Sequence, residues 1–251
     1  MKKNNNKVVV GHQPQYFPYI GIFDKILKSD YFMLVDSTKF VKKVWHNRTI
    51  IKDKKNNVFY FTIPTINNGY QIIKDVKISD HNWKKKHLKS IRLNYNFSKY
   101  FDELYPDIEK VLNNRSDFLI DYTIPSMLLI LRKVGFNENN IFKQSEAKIS
   151  GEKNQLIVNI TKYFNSNSYL SGEGSKNYID ENFLKKRGIK HIFNKFVHPV
   201  YLQHGTKFIQ NLSVIDCIFN IVANITKKTT VAKRPRSKFC FSICYSYYFV
   251  L

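Results

Sequence analysis

Apolar and polar positions divide the chain into short elements. Val8 to Val10 is a β-branched run closed by Gly11 and predicts a strand. A polar turn framed by Pro14 and Pro18 follows. Ile20, Phe23, Ile26 and Leu27 then recur at three and four, the spacing of a helix with one buried face. Tyr31 to Val35 is a second apolar run, ending on Asp36. Strand, turn, helix, strand is the pattern of a parallel sheet. Beyond it, Val58 to Ile63 (VFYFTI), closed by Pro64, and the alternating Ile72 to Ile78 (IIKDVKI) predict strands, with a turn at Asn67-Asn68-Gly69 between them.

Helical spacing takes over from Trp83 to Val111, through Leu88, Ile91 and Tyr95, then Phe101, Leu104, Ile108 and Leu112, with Pro106 early in the later segment. Ser116-Asp117 predicts the cap of a helix over Leu119 to Leu131 that stops at Gly135. Gly151 to Phe164 predicts another helix, Tyr169-Leu170 a short strand, Ile179 to Arg187 a helix ending on Gly188, and Lys190 to Phe196 (KHIFNKF) a strand. Ser213 to Ile221 is a last apolar run. The expected fold is α/β, with a mostly parallel sheet, a Rossmann-like or HUP-like core and an inserted or following helical segment near Trp83 to Phe164. Residues 1–225 form one domain in this reading, after a polar tail at 1–7. Residues 226–251 differ in kind: a basic patch (Lys227, Lys228, Lys233, Arg234, Arg236, Lys238), then an uncapped aromatic ending. That ending fits an edge strand, a membrane-surface tail or the out-of-frame end of a disrupted gene.

A hydrophobic share of 43% is enough for a substantial core. No apolar run reaches the ~18–20 residues of a spanning helix, and the basic start is followed by too short an apolar stretch for a signal peptide, so the expected location is cytoplasmic. The net charge of +22 has two readings. Nearly all of it is Lys in an Asn-rich chain, which fits codon bias, and the lysines are scattered rather than striped. The other reading is a binder of nucleic acid or an anionic surface. Arg, the residue of bidentate recognition, is scarce, so no specific nucleic-acid partner is expected. Cys217, Cys240 and Cys244 are too few and too late for a disulfide framework, and the spacing of the last two matches no common zinc pattern, so no metal site is expected.

Candidate chemistry clusters in three places. His12, Gln13 and Tyr16 lie in the Pro-framed turn just past the first strand, where open α/β sheets bind ligands. A histidine there can move protons or contact phosphate, and Gln13 can both donate and accept; the structural alternative is a rigid turn whose His serves a backbone carbonyl. Lys25 follows the apolar face of the first helix toward that turn, whereas Asp30 reads as a cap. Lys43, Asn47 and Arg48, with Lys39 and beside Trp45, form a second set suited to a phosphate or carboxylate, or else a solvated basic loop. Ser171 to Ser175 around Gly172, with Tyr178 and Asp180, is a third: glycines between strand and helix let backbone N–H groups face an anion, although no Walker or GxGxxG motif is present. His198-Pro199, Tyr201 and Gln203 repeat the residue types of the opening turn, so two such turns could face one pocket. Ser213 and Asp216 read as a capping pair. His81, Trp83 and His87 around Lys84–Lys86 read as a helix start with a solvated face.

In order, HQPQYFP, FDKILKSDYF, LVDSTKFVKKVWHNR, YLSGEGSKNYID, FVHPVYLQ and LSVIDCIFN resemble the WbqC-like protein family over residues 8–224. The resemblance implies a protein of surface-polysaccharide (O-antigen) or modified-sugar biosynthesis, a transferase placing an acyl or aminoacyl group on an amino sugar. Its motif positions here include His12 and His198 as catalytic candidates and Gln13, Tyr16, Lys25, Lys43, Asn47, Arg48, Gly172, Tyr178, Tyr201 and Gln203 as substrate-binding candidates. The implied partners are an anionic small molecule such as a sugar nucleotide and an acyl carrier; the resemblance leaves the cofactor open. A looser similarity of layout, to HxGH nucleotidylyltransferases and pantoate ligases, carries only His12, since the HxGH spacing is absent.

Overall fold

The first strand lies at the centre of the sheet, which explains its unbroken apolar run: a parallel strand is covered on both faces. In the computed structural model, which describes residues 7–66 and 69–221, this strand is β1 (Val8–His12). The order continues with α1 (Ile20–Leu27), β2 (Tyr31–Leu34), β3 (Arg48–Lys52), β4 (Val58–Thr62), α2 (Trp83–Tyr95), α3 (Phe101–Leu112) and α4 (Ile120–Lys133). Then come β5 (Ile141–Lys143), α5 (Lys153–Tyr163), β6 (Ser168–Gly172), α6 (Glu181–Lys185), β7 (Lys190–Asn194) and α7 (Val214–Ile221). The main sheet runs β5-β2-β1-β6-β7 with every pair parallel. The chain therefore winds one way from β1 through β2 to β5, then crosses back to β6 and β7. The order reverses between β1 and β6, and connections that leave in opposite directions open a crevice beyond those two strand ends.

Side-chain alternation assigns the two faces. Val9, Met33 and Val35 pack with Leu156, Ile157 and Ile160 of α5 and Leu184 of α6. Val10, Phe32 and Leu34 pack on the other face with Ile20, Phe23 and Ile26 of α1, in a larger cluster that includes α2, α3, α4 and α7. The helical segment between β4 and β5 thus completes the second layer. Rings tie its far end together: Phe219 of α7 lies 5.4 Å from Tyr95 and 5.2 Å from Phe101, centroid to centroid. No helix among the described residues is long and apolar enough to cross a membrane.

Three elements depart from the sequence reading. Ile72 to Ile78 is not a strand; Ile73–Asp75 is a 3-10 turn, and Ile73 and Lys74 donate to the carbonyls of Thr38 and Asp36. Its alternation buries Ile73, Val76 and Ile78 while the backbone straps the loop after β2. Arg48–Lys52, read as part of a basic loop, pairs antiparallel with β4 in a hairpin separate from the main sheet. β5 is only three residues long, too short for a visible period, yet it forms one edge of the main sheet. The polar tail at 1–6, Asn67-Asn68, and the atypical stretch at 226–251 with Cys240 and Cys244 lie outside the described residues.

Candidate functional site

The turn after β1 is held from three distant elements. Phe17 has a φ of 40°, which costs a non-glycine residue energy that its surroundings must offset. Its carbonyl accepts from Thr49 Oγ1 of β3 at 2.8 Å and from Ser213 Oγ at the start of α7 at 2.9 Å. Its N–H donates to Ser126 Oγ of α4 at 3.1 Å, and Val214 N–H donates to the Pro18 carbonyl at 3.0 Å. Ser213 therefore anchors the turn; it also accepts from Ile215 N–H, as a capping serine does. The Pro-framed segment is rigid because β3, α4 and the start of α7 all grip it.

His12 ends β1, and Lys25 projects from α1 to meet it. Lys25 Nζ lies 3.1 Å from His12 Nδ1. Lys25 is only 5% exposed, and no carboxylate among the described residues pairs with it; neighbouring Asp24 is taken by Lys28 at 2.6 Å. Burial pulls the Lys25 ammonium down to about 8. His12 is held well below the usual imidazole value, first by burial and then by the Lys25 charge; the Gln15 side chain acts the other way, and His46 adds to the lowering. His12 is therefore neutral at pH 7. With Lys25 donating to Nδ1, the ring proton sits on Nε2, and that nitrogen is buried without a partner among the described residues.

Around this pair opens a cleft of about 960 Å³, beyond the ends of β1 and β6. It is the switch-point crevice that the strand order defines. One wall is Ser171, Gly172 and the 3-10 turn Glu173–Ser175, where Ser175 Oγ donates to the Gly172 carbonyl at 2.6 Å. A side chain at Gly172 would meet only Lys25 Cδ, at 4.0 Å, so the bare backbone keeps this wall open rather than relieving strain. Gly11 differs: a Cβ there would lie 2.6 Å from the Tyr169 hydroxyl, which crosses over the strand end. Lys153 and Trp45 also line the cleft; its acid, Glu173, pairs with Lys176 at 3.1 Å.

A hydrogen-bonded chain orients the Gln13 side chain. Val41 N–H donates to His46 Nδ1 at 3.3 Å, which puts the His46 proton on Nε2. Nε2–H donates to Gln13 Oε1 at 2.9 Å, and Gln13 Nε2 donates to Thr38 Oγ1 at 2.9 Å. The Thr38 hydroxyl proton is left to point elsewhere, and Thr38 lines the cleft. Burial lowers His46 to about 4, so it stays neutral.

Of the residues singled out in the sequence, the fold brings His12, Gln13, Lys25, Gly172, Tyr178 and His198 to this cleft. His198 shares the wall, but both its ring nitrogens are engaged: Nδ1 donates to the Pro199 carbonyl at 2.9 Å and Nε2 accepts from Asn211 N–H at 3.2 Å. Six others lie elsewhere. Tyr16 is fully buried, its hydroxyl 3.0 Å from His87 Nδ1, inside an aromatic cluster with Trp83 and Phe61. His87, read as part of a solvated helix start, is buried with it. Asn47 holds the Ile63 carbonyl at 2.8 Å. The Arg48 guanidinium lies 4.3 Å from the Tyr60 ring centroid and 5.9 Å from that of Trp45, while Lys43 is exposed in the loop. Tyr201 donates to buried Asp216 at 2.8 Å, as Tyr95 does at 3.1 Å, and Gln203 bridges to both backbone groups of Ile209. The sequence reading missed the parts played by His46, Thr38, Gln15 and Lys153. Only His46 carried a signal, its place in the Trp45-His46-Asn47-Arg48 run.

An all-parallel sheet wound in this order, with a ligand-sized cleft at its switch point, is a doubly wound α/β protein of the Rossmann-like class. Within that class the chain belongs to the WbqC-like protein family, whose profile matches residues 13–228. It is 22% identical over 214 residues to "Uncharacterized protein Rv1507c" of Mycobacterium tuberculosis, across 84% of this chain and 92% of that protein. No solved structure matches the chain significantly.

Proposed function

We propose that this protein is a transferase of surface-polysaccharide or modified-sugar biosynthesis that places an acyl or aminoacyl group on an amino sugar. The observation that carries the reading is the His12–Lys25 pair at the switch-point cleft: an imidazole Nε2 without a partner, backed by a buried ammonium without a carboxylate, both among the described residues. Acyl transfer passes through a tetrahedral oxyanion, and a preorganised donor in a water-poor site stabilises the charge where it develops. Nε2–H supplies the donor and Lys25 the positive field behind it. Lys153 and the backbone at Gly172 to Ser175 favour the anionic part of a sugar nucleotide or of a donor carried on an acyl carrier. The sugar setting comes from the family resemblance, not from the cleft geometry. In a reconstituted transfer assay His12→Ala should lose roughly 10²–10³-fold in kcat, the typical loss of an oxyanion donor; full activity in that variant would end the assignment.

A second reading is a nucleotidylyltransferase or ATP-dependent ligase. It is favoured by the histidine at the end of the first strand of this sheet, which shares its cleft with Tyr19 and Gly21 at the start of α1, a layout in which phosphates meet such a turn. ATP or CTP would then raise the melting temperature by binding the folded state. No shift with ATP or CTP would leave the first reading alone in the field.

A further inference from the structure

Three histidines line or adjoin the cleft, and two have their tautomer locked. Backbone N–H groups donate to His46 Nδ1 and to His198 Nε2, and the remaining nitrogen of each ring donates in turn to Gln13 or Pro199. Neither can exchange a proton without breaking its bonds. His12 is different: its Nδ1 faces an amine that is a donor when charged and an acceptor when neutral, and its Nε2 has no partner among the described residues. We infer that His12 and Lys25 form a proton relay in which the imidazole switches tautomer without becoming an imidazolium, and Lys25 Nζ stores the proton. The inference rests on the transferase reading above and names the base for it.

In the basic form, His12 Nδ1–H donates to the neutral Lys25 amine and the lone pair is on Nε2, a buried atom of this cleft-lining residue. When an amine or hydroxyl of the acceptor binds there, its proton moves to Nε2 as the Nδ1 proton moves to Nζ. The ring is neutral before and after, Lys25 becomes an ammonium, and the acceptor's lone pair is released for attack. Nε2–H is then placed to donate to the oxyanion or to return the proton to the leaving group, with Nδ1 retaking a proton from Lys25. Lys25 touches no substrate in this scheme; it acts through His12.

The surroundings favour this division of labour. An imidazolium at His12 would be buried 3.1 Å from Lys25, so the ring resists charge, whereas burial brings the Lys25 ammonium to about 8, where it can exchange protons near neutrality. The other titratable groups facing the pair leave it so. They are Tyr19 at the start of α1, His46 after β2, Tyr169 of β6, Glu173 and Tyr178 after it, Lys153 of α5, and His198 after β7. Glu173, the acid among them, pairs with Lys176 rather than with Lys25.

The test is ¹⁵N NMR of the full chain labelled at histidine, without substrate, from about pH 6 to about pH 10, the range that brackets an imidazole and a lysine. The His12 signals are assigned by their loss in His12→Gln. In the wild type His12 should stay neutral throughout and pass from the Nε2–H to the Nδ1–H tautomer with a midpoint near about 8. Lys25→Met should remove the switch and Lys25→Arg should lock the Nε2–H form, with His46 and His198 unchanged in both. An imidazolium in this range, a single tautomer throughout in the wild type, or a switch that survives in Lys25→Met would overturn the relay. Because no substrate is present, such a result leaves the transferase reading standing; that reading fails separately, if His12→Ala transfers normally.

Discussion

Lys25 shows most plainly how a single residue can serve function against stability. Its ammonium is buried without a carboxylate, so the folded state carries a charge that the unfolded state would solvate. A depressed lysine value means that between about 8 and its ordinary 10.5 the unfolded chain holds the proton and the folded chain does not, so stability from this group rises with pH across that window. Below it the penalty is complete, roughly 3 kcal/mol as an upper figure. Lys25→Met should therefore melt at or above the wild-type temperature near pH 7, lose that advantage as the pH approaches 10, and lose transfer activity. A second residue-level prediction concerns the strained turn. Phe17 carbonyl accepts from both Thr49 and Ser213, so Thr49→Ala or Ser213→Ala alone should cost about 1 kcal/mol in denaturant unfolding. The double variant should cost more than the two together, because it leaves a buried carbonyl without a partner; simple additivity would show that the turn is not held this way. Much of this chemistry was legible in the sequence. A polar, Pro-framed turn after a Val run marks His12 and Gln13, and Lys25 follows the apolar face toward them. His46 was not, because its bond to Gln13 depends on a loop folding back across more than thirty positions. The second His-Pro-Tyr-Gln set copies residue types rather than roles: its Tyr201 serves the buried Asp216 instead of the cleft.

Elements tell a similar story. Long periodic segments predict themselves, and α2, α3, α4 and α5 all fall where helical spacing places them. The elements missed are those that tertiary contacts create. β5 forms by pairing its backbone with β2, and Asp36, just past β2, clamps the residues that follow it: Asp36 Oδ1 accepts from Ser145 N–H at 2.9 Å and its other oxygen from the Ser145 hydroxyl. Asp36 is 1% exposed, so no solvent replaces a lost bond. Asp36→Asn should cost roughly 2 kcal/mol and loosen this edge first, seen as faster amide exchange over Ile141–Lys143 than in β1. Equal exchange at both strands would mean that something else docks β5. Ile72 to Ile78 misled for the opposite reason. Its alternation is real, but it records a strap burying Ile73, Val76 and Ile78, not a partner strand.

The whole molecule places neutral histidines deep in its structure, and this sets its acid limit. His46 is lowered to about 4 and His87 to about 3, both by burial. Below the ordinary imidazole value the unfolded chain binds protons that the folded chain refuses, so stability should fall as the pH drops from about 6.5 toward 4, by several kcal/mol in all. A melting temperature that stays flat over that range would contradict the burial of these rings. The net charge of +22 should give weak nucleic-acid binding that vanishes at moderate salt; binding that persists there would revive the reading as a nucleic-acid binder. The central claim is that the chemistry lies with His12 and Lys25 at the switch point, not with the basic Lys43–Arg48 set that the sequence also singled out. The turnover of variants in a reconstituted transfer assay at neutral pH tests it most directly. Transfer should be lost in His12→Ala and Lys25→Met and kept in Lys43→Ala and Arg48→Ala, whereas the reverse pattern would contradict the account.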